Sequence, residues 1–320
     1  MNTCLTRRAV LIGSLGGGVA LAGCGGGGGG GNLWLGTPVQ PNIAQVVASR
    51  PDLSVLSEAI GKADLTSTLS AAGPYTLFAP NNDAFTALLG ELGTTKDALF
   101  SQKALLAAVL KYHVLNATVR AADIPSGKAI EPVGGGFFKI ETQGAGARIT
   151  DGRNRVTNIV ATDVAAQNGV VHVVDRVLLP ANKDIVQTAQ GVPSLSILVE
   201  AVVAADLVAT LQGPGPFTVF APSNDAFAAL LSELGITKDA LLADKALLTK
   251  VLTYHVLPRR VLKAEIPLNA PIATVQGQGI TINGSLQIID QRGRSSGISA
   301  TDIFNTNGVV HLIDKVLLPS

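Results

Sequence analysis

Cysteine is almost missing: the 320 residues hold two, Cys4 and Cys24. Cys4 sits in a stretch that reads as a removable leader, so no thiol pair remains for a disulfide, a redox couple or a cysteine-metal site. Charge is sparse as well, with 15 % charged residues and a formal net charge of +1. A nucleic-acid partner needs a concentrated basic face, and that balance supplies none. No uncharged apolar run reaches the roughly 20 residues that a membrane helix needs; Ile197 to Leu211 is broken by Glu200 and Asp206. No His/Cys/Asp group stands at zinc-ligand spacing. The glycine run at 134–136 and the Gly-Ala-Gly at 144–146 precede no helix, so they are loops and not phosphate cradles. Disorder is excluded too, because 47 % of the residues are apolar.

What is present begins with an export pattern. Arg7-Arg8 lead a short apolar run, Ala9 to Ala22, which ends in Leu21-Ala22-Gly23-Cys24. That order resembles a bacterial lipoprotein signal, and the resemblance implies cleavage after Gly23 and lipid on Cys24. The twin arginines also resemble a twin-arginine export signal, with the general secretion route as the alternative. Gly25 to Gly31 is an unbroken glycine run, which behaves as a flexible tether. The expected chain is therefore anchored to a membrane without crossing it. Gly25 after the lipidated cysteine points to the outer membrane if the source is Gram-negative.

The rest is one domain written twice. Phe78-Ala79-Pro80-Asn81-Asn82-Asp83-Ala84-Phe85 returns as Phe220-Ala221-Pro222-Ser223-Asn224-Asp225-Ala226-Phe227. Tyr112-His113-Val114-Leu115 returns as Tyr254-His255-Val256-Leu257, and Asn168-Gly169-Val170-Val171-His172 as Asn307-Gly308-Val309-Val310-His311. The period is far longer than that of a solenoid, so the repeated unit is a whole domain. The expected division is a leader at 1–23, lipidated cysteine and tether at 24–40, a first domain at 41–181 and a second at 182–320.

Within each copy, helical spacing comes first. Ile43, Val46 and Val47, then Leu53, Leu56 and Ile60, recur on helical faces. Asn81 or Asn82 can cap the helix that buries Phe85 and Leu88, with Asp83 in its first turn. After Pro125 short strands follow, and Asn168-Gly169 predicts a type I′ hairpin. Helices followed by strands, twice, give an α+β class.

At these motifs the sequence resembles the fasciclin-like family, whose landmarks occur in order in both copies. The resemblance implies two wedge-shaped β-sandwiches flanked by α-helices. It also implies a non-enzymatic extracellular role in adhesion, matrix association or binding of surface partners. By motif match, Tyr112, His113, Tyr254 and His255 correspond to a segment associated with adhesion in animal members. The lipoprotein-type leader and the lack of an Arg-Gly-Asp tripeptide argue against an integrin partner.

The four histidines, His113, His172, His255 and His311, all lie in repeated motifs and read as structural, not as metal or acid-base groups. The recurring Asp83, Asp163, Asp175 and their partners read as caps and turns. Two arginines sit at each probable hairpin tip: Arg153 and Arg155, then Arg292 and Arg294. Their guanidinium forks suit an acidic polysaccharide or phosphate. The expected function is a lipid-anchored, non-enzymatic envelope protein for adhesion or matrix and polysaccharide association. It needs no cofactor, no metal and no nucleic acid. The alternative is a binder of a small apolar ligand such as a pigment or lipid.

Overall fold

In the computed structural model, residues 40–144 and 146–320 are described. The leader, Cys24 and the glycine run lie outside the described residues. Residues Gln40–Ser320 form one compact unit containing both copies of the repeat.

The first module runs α1 (Ile43–Ala48), α2 (Ser54–Lys62), α3 (Thr66–Ser70), β1 (Tyr75–Pro80), α4 (Asn82–Leu92), α5 (Lys96–Ser101) and α6 (Lys103–Tyr112). Six strands follow: β2 (Val114–Leu115), β3 (Ala129–Ile130), β4 (Phe138–Gln143), β5 (Gly146–Thr150), β6 (Val156–Ala166) and β7 (Gly169–Val174). The second module repeats the order with α7 (Ile185–Gln190), α8 (Ser196–Ala204), α9 (Val208–Leu211), β8 (Phe217–Pro222), α10 (Asn224–Leu234), α11 (Lys238–Ala243) and α12 (Lys245–Tyr254). It ends in β9 (Val256–Leu257), β10 (Pro271–Ala273), β11 (Gly279–Ile282), β12 (Gln287–Ile289), β13 (Ser295–Asn305) and β14 (Gly308–Ile313).

Each module has one seven-stranded sheet, ordered β2-β1-β7-β6-β5-β4-β3 in the first and β10-β11-β12-β13-β14-β8-β9 in the second. The first and last long strands, β1 and β7, pair in parallel, with Tyr75 opposite Gly169. The long strand β6 pairs with β5 at its start and with β7 afterwards, and its register slips at Ile159, Ala161 and Val164. Bulges sharpen strand bend and twist, so the sheet curls into a sandwich. Helices cover one side, where Ile43, Leu56, Phe85 and Leu106 are buried. Between the curled layers lie Phe78, Tyr112, Phe138, Ile140 and Ile149. This is the α+β class that the order of elements predicts, in the sandwich flanked by helices that the resemblance implies.

The repeated asparagines have separate tasks. Asn81 caps α4 by accepting the Ala84 N–H at 2.8 Å, and Ser223 does the same for α10. Asn82 instead reaches back to α2, accepting the Val55 N–H at 3.0 Å and donating to the Pro51 carbonyl at 3.0 Å.

The hairpin at Asn168 forms, but not as the predicted type I′ turn. The residues between β6 and β7 are Gln167 and Asn168, and neither has positive φ. Asn168 is buried; its amide accepts the Ile43 N–H and donates to the carbonyls of Leu69 and Ala71, tying α1 and α3 to the sheet. Gly169 belongs to β7, where a Cβ would stand 1.9 Å from the Tyr75 carbonyl oxygen. The residue is glycine because a neighbouring strand passes there.

Candidate functional site between the modules

The tyrosine-histidine pairs close α6 and α12, where free carbonyls need partners. His113 Nδ1 donates to the Val109 carbonyl at 2.7 Å, which leaves Nε2 to accept the Leu178 N–H at 2.9 Å. His255 repeats both bonds with Val251 and Leu317. Both imidazoles are buried, and burial pushes each pKa down to about 4, so they are neutral near pH 7. The Tyr112 hydroxyl donates to the Phe137 carbonyl at 2.5 Å, and burial raises its pKa. Tyr254 donates to the Gly279 carbonyl at 2.9 Å, and burial pushes its pKa up to about 12. Tyr112, His113, Tyr254 and His255 are all at most 1 % exposed, so their side chains hold the fold and offer no surface to a partner.

His172 stacks on Phe78, donates to the Val119 carbonyl and accepts the backbone N–H of Asp163 at Nδ1. His311 does the same with Phe220, Val261 and Asp302, and burial lowers its pKa. Among the described residues, no three His, Cys, Asp or Glu side chains gather as a metal site.

The two arginines at each hairpin tip separate into different roles. Arg155 is committed inward: Nε and Nη2 bond Asp151 Oδ2 at 3.0 and 2.9 Å, Nη2 bonds the Val177 carbonyl, and Nη1 reaches Glu91. Asp151 is fully buried and also accepts the N–H groups of Arg153, Arg155 and Leu179. Arg294 and Asp290 repeat the arrangement with Glu233, Val316 and Leu318. Arg153 and Arg292 are exposed; Arg292 donates to the Pro319 carbonyl, whereas Arg153 makes no ion pair among the described residues.

The modules meet in a specific contact. Phe137 lies 4.8 Å from Phe304, centroid to centroid, in a cluster with Leu262 and Val309. Lys139 Nζ bonds Asp302 and Glu141, each at 2.8 Å. Burial opposes the Lys139 ammonium, but the bonds from Asp302 and Glu141 outweigh it and raise its pKa. Arg260 stacks over Phe137 and bonds Glu131. The Asn154 amide spans the backbone of Phe304, accepting its N–H at 2.6 Å and donating to its carbonyl at 3.2 Å.

Beside this contact opens a cleft of about 380 Å³, lined by Glu91, Arg153, Asn154, Arg155, Lys183 and Thr188 among others. Thus Arg153 and Arg155 of the first module come together with Lys183, which no repeated motif marks. Arg292 and Arg294 lie on the second module's own tip, and Arg294 lines a separate groove with Glu233 and Lys315.

A family model described as Fasciclin domain matches residues 51–180 and 193–319. Periostin of Homo sapiens is 28 % identical over 272 residues, which is 83 % of this chain and 30 % of periostin. Transforming growth factor-beta-induced protein ig-h3 of Sus scrofa is 28 % identical over 257 residues, 78 % of this chain and 35 % of ig-h3. The chain therefore spans about a third of the length of either relative. Protein sll1483 of Synechocystis is 43 % identical over 139 residues, 42 % of this chain and 73 % of that protein. Among solved structures, a FAS1 domain pair from the insect cell adhesion molecule fasciclin I overlaps 83 % of this chain and 97 % of its own, at 18 % identity and a TM-score of 0.43. With both copies of the repeat matched, this chain belongs to the fasciclin-domain family.

Proposed function

We propose that this chain is a non-enzymatic envelope protein, held at a membrane by lipid on Cys24, that associates with acidic matrix or cell-surface polysaccharide. The family resemblance supports adhesion as the general role. The cleft between the modules supports the ligand class: Arg153 and Lys183 line it, and neither makes an ion pair among the described residues. A guanidinium fork and an ammonium facing one recess suit carboxylate or sulfate groups. The contact beside the cleft keeps both cations in a fixed relation, which lowers the ordering cost of binding.

The leader pattern supports export by the secretion or twin-arginine route and, if the source is Gram-negative, retention at the outer membrane. No helix among the described residues is long and apolar enough to cross a membrane. The apolar-ligand alternative has weaker support. The apolar recess of the second module, lined by Ile185, Leu198, Val202 and Phe220, holds about 30 Å³. Small-molecule sites run to roughly 300–1,000 Å³.

Binding to an immobilised polyuronate over a salt series tests the reading, with a neutral glucan as control. The full chain is expected to bind saturably, more weakly as salt rises, while Arg153→Glu with Lys183→Glu loses at least about tenfold. Equal binding by this double variant, or equal binding to the neutral glucan, would overturn it. Cys24→Ala is expected to release the protein from the membrane fraction; retention would sink the anchor.

A further inference from the structure

The contact between the modules is directional. It joins the β4 side of the first module to the β13 side of the second. A heterologous contact of this kind leaves the counterpart of each face unused. Among the described residues, nothing covers the face of the first module that corresponds to the occupied β13 face. The internal repeat allows the two faces to be compared residue by residue.

Asp163 and Asp302 are equivalents, with φ of 57° and 60°. Each backbone N–H donates to Nδ1 of a buried histidine, Asp163 to His172 at 3.3 Å and Asp302 to His311 at 3.2 Å. Each Oδ1 accepts the first N–H of a short 3-10 turn, from Ala121 at 3.0 Å and from Lys263 at 2.8 Å. They part at Oδ2. In Asp302 it accepts the Lys139 ammonium at 2.8 Å, whereas Asp163 is exposed and makes no ion pair among the described residues. Asp123 stands where Glu265 receives the Ala129 N–H. Ala165, paired with Val170, stands where Phe304 pairs with Val309 and packs on Phe137. The first module therefore presents a carboxylate oriented as the ammonium-binding one is, beside a small residue that leaves room for a ring, with exposed Arg120 in the place of Leu262.

We propose that the Asp163 face docks a fasciclin-type module of another chain, one that presents a lysine beside an aromatic residue on its β4-type strand. The proposal is independent of the polysaccharide reading. A second copy of this chain does not qualify. The tyrosine hydroxyls mark the equivalence: Tyr112 bonds the Phe137 carbonyl and Tyr254 bonds the Gly279 carbonyl. Pairing of Ala129 with Lys139, and of Pro271 with Thr281, fixes the next position. So Gly279 replaces Phe137 and Thr281 replaces Lys139. The open face of the second module brings neither ring nor ammonium, and the chain does not extend head to tail.

The missing pair can be supplied in the full chain as Gly279→Phe with Thr281→Lys. A Cβ at Gly279 meets nothing nearer than 3.5 Å, so the fold has room for it. Sedimentation velocity up to about 100 μM, where contacts of micromolar affinity are populated, reads the outcome. The wild type is expected to stay monomeric, the double variant to self-associate, and the double variant with Asp163→Asn to return to monomer. Wild-type association that Asp163→Asn removes, a monomeric double variant with a native melt, or association that survives Asp163→Asn would each overturn the proposal. Should the ring lower the melting temperature, Thr281→Lys alone carries the test. It is then expected to dimerise at the highest concentration in an Asp163-dependent way, and a monomer there overturns the proposal.

Discussion

Lys139 of the first module lies 2.8 Å from Asp302 of the second, with side chains only 10 % and 2 % exposed. Taking two charges out of water is costly, so such a pair contributes less to stability than to the choice of one mutual arrangement. Removing one partner leaves the other charge buried. Asp302→Asn is expected to cost about 3 kcal/mol and to uncouple the modules, splitting one calorimetric transition into two. Lys139→Met with Asp302→Asn, which keeps the positive φ and the acceptor for the Lys263 N–H, is expected to recover most of the loss. A single unchanged transition in Asp302→Asn would show that the pair does not join the modules.

Acid should destabilise the fold through His113 and His255. Their folded pKa values near 4 lie below the ordinary 6.5. The folded state therefore binds fewer protons than the unfolded chain in that window. Their contribution is complete above pH 6.5 and is lost as pH falls from 6.5 towards 4, at up to about 1.4 kcal/mol per pH unit for each histidine. Urea midpoints measured from pH 4.5 to 7.5 should show this slope. His113→Gln is expected to lower stability at pH 7 and to flatten the slope by one proton. An unaltered slope would remove His113 from the account.

The two buried tyrosines should respond unequally to loss of their hydroxyls. Tyr112→Phe leaves the Phe137 carbonyl without its hydroxyl donor at the junction of the modules. In the second module the Gly279 carbonyl keeps the Gln291 side-chain amide at 2.7 Å, and the backbone N–H of Gln291 that Tyr254 releases belongs to an exposed residue that water can reach. Tyr112→Phe is expected to cost about 1–2 kcal/mol and Tyr254→Phe clearly less. Chemical denaturation of the two variants decides, and equal losses would count against this distinction.

Asp151→Ala should be among the most damaging single changes. It strands the backbone N–H groups of Arg153, Arg155 and Leu179 and the guanidinium of Arg155. The expected cost is about 3–5 kcal/mol. Arg155→Lys should fall between wild type and Arg155→Ala, because an ammonium cannot fork between Asp151, Glu91 and the Val177 carbonyl. Melting temperatures in that order would support the assignment; a harmless Asp151→Ala would refute it.

Local features were the most legible in the sequence. The cap at Asn81, the buried Phe85 and Leu88 and the structural histidines follow from spacing alone. The Asn-Gly dipeptide located the hairpin but suggested the wrong cause, because the buried contacts of Asn168 and the crossing strand at Gly169 join residues far apart in the chain. The inward commitment of Arg155 was hidden for the same reason: Val177 and Glu91 are remote in sequence. Lys139 alternates with Phe138 and Ile140, so it reads as one charge on a solvent face; its partner Asp302 is 163 positions away. The cleft was legible only as its arginines, since Lys183 gains meaning when the modules meet.

The parallel pairing of β1 with β7, and of β8 with β14, sets an order of biogenesis. A sheet that pairs its first strand with its last closes late, after the whole module has emerged, and such non-local pairing is slow. The first module can close while the second is still being made. Its Phe137 and Lys139 then wait uncovered, because Phe304 and Val309 of the receiving face belong to the last strands of the chain. A chain truncated before residue 304 would carry a finished first module with an unsheltered ring, so premature termination should yield material that is sticky, not merely shorter.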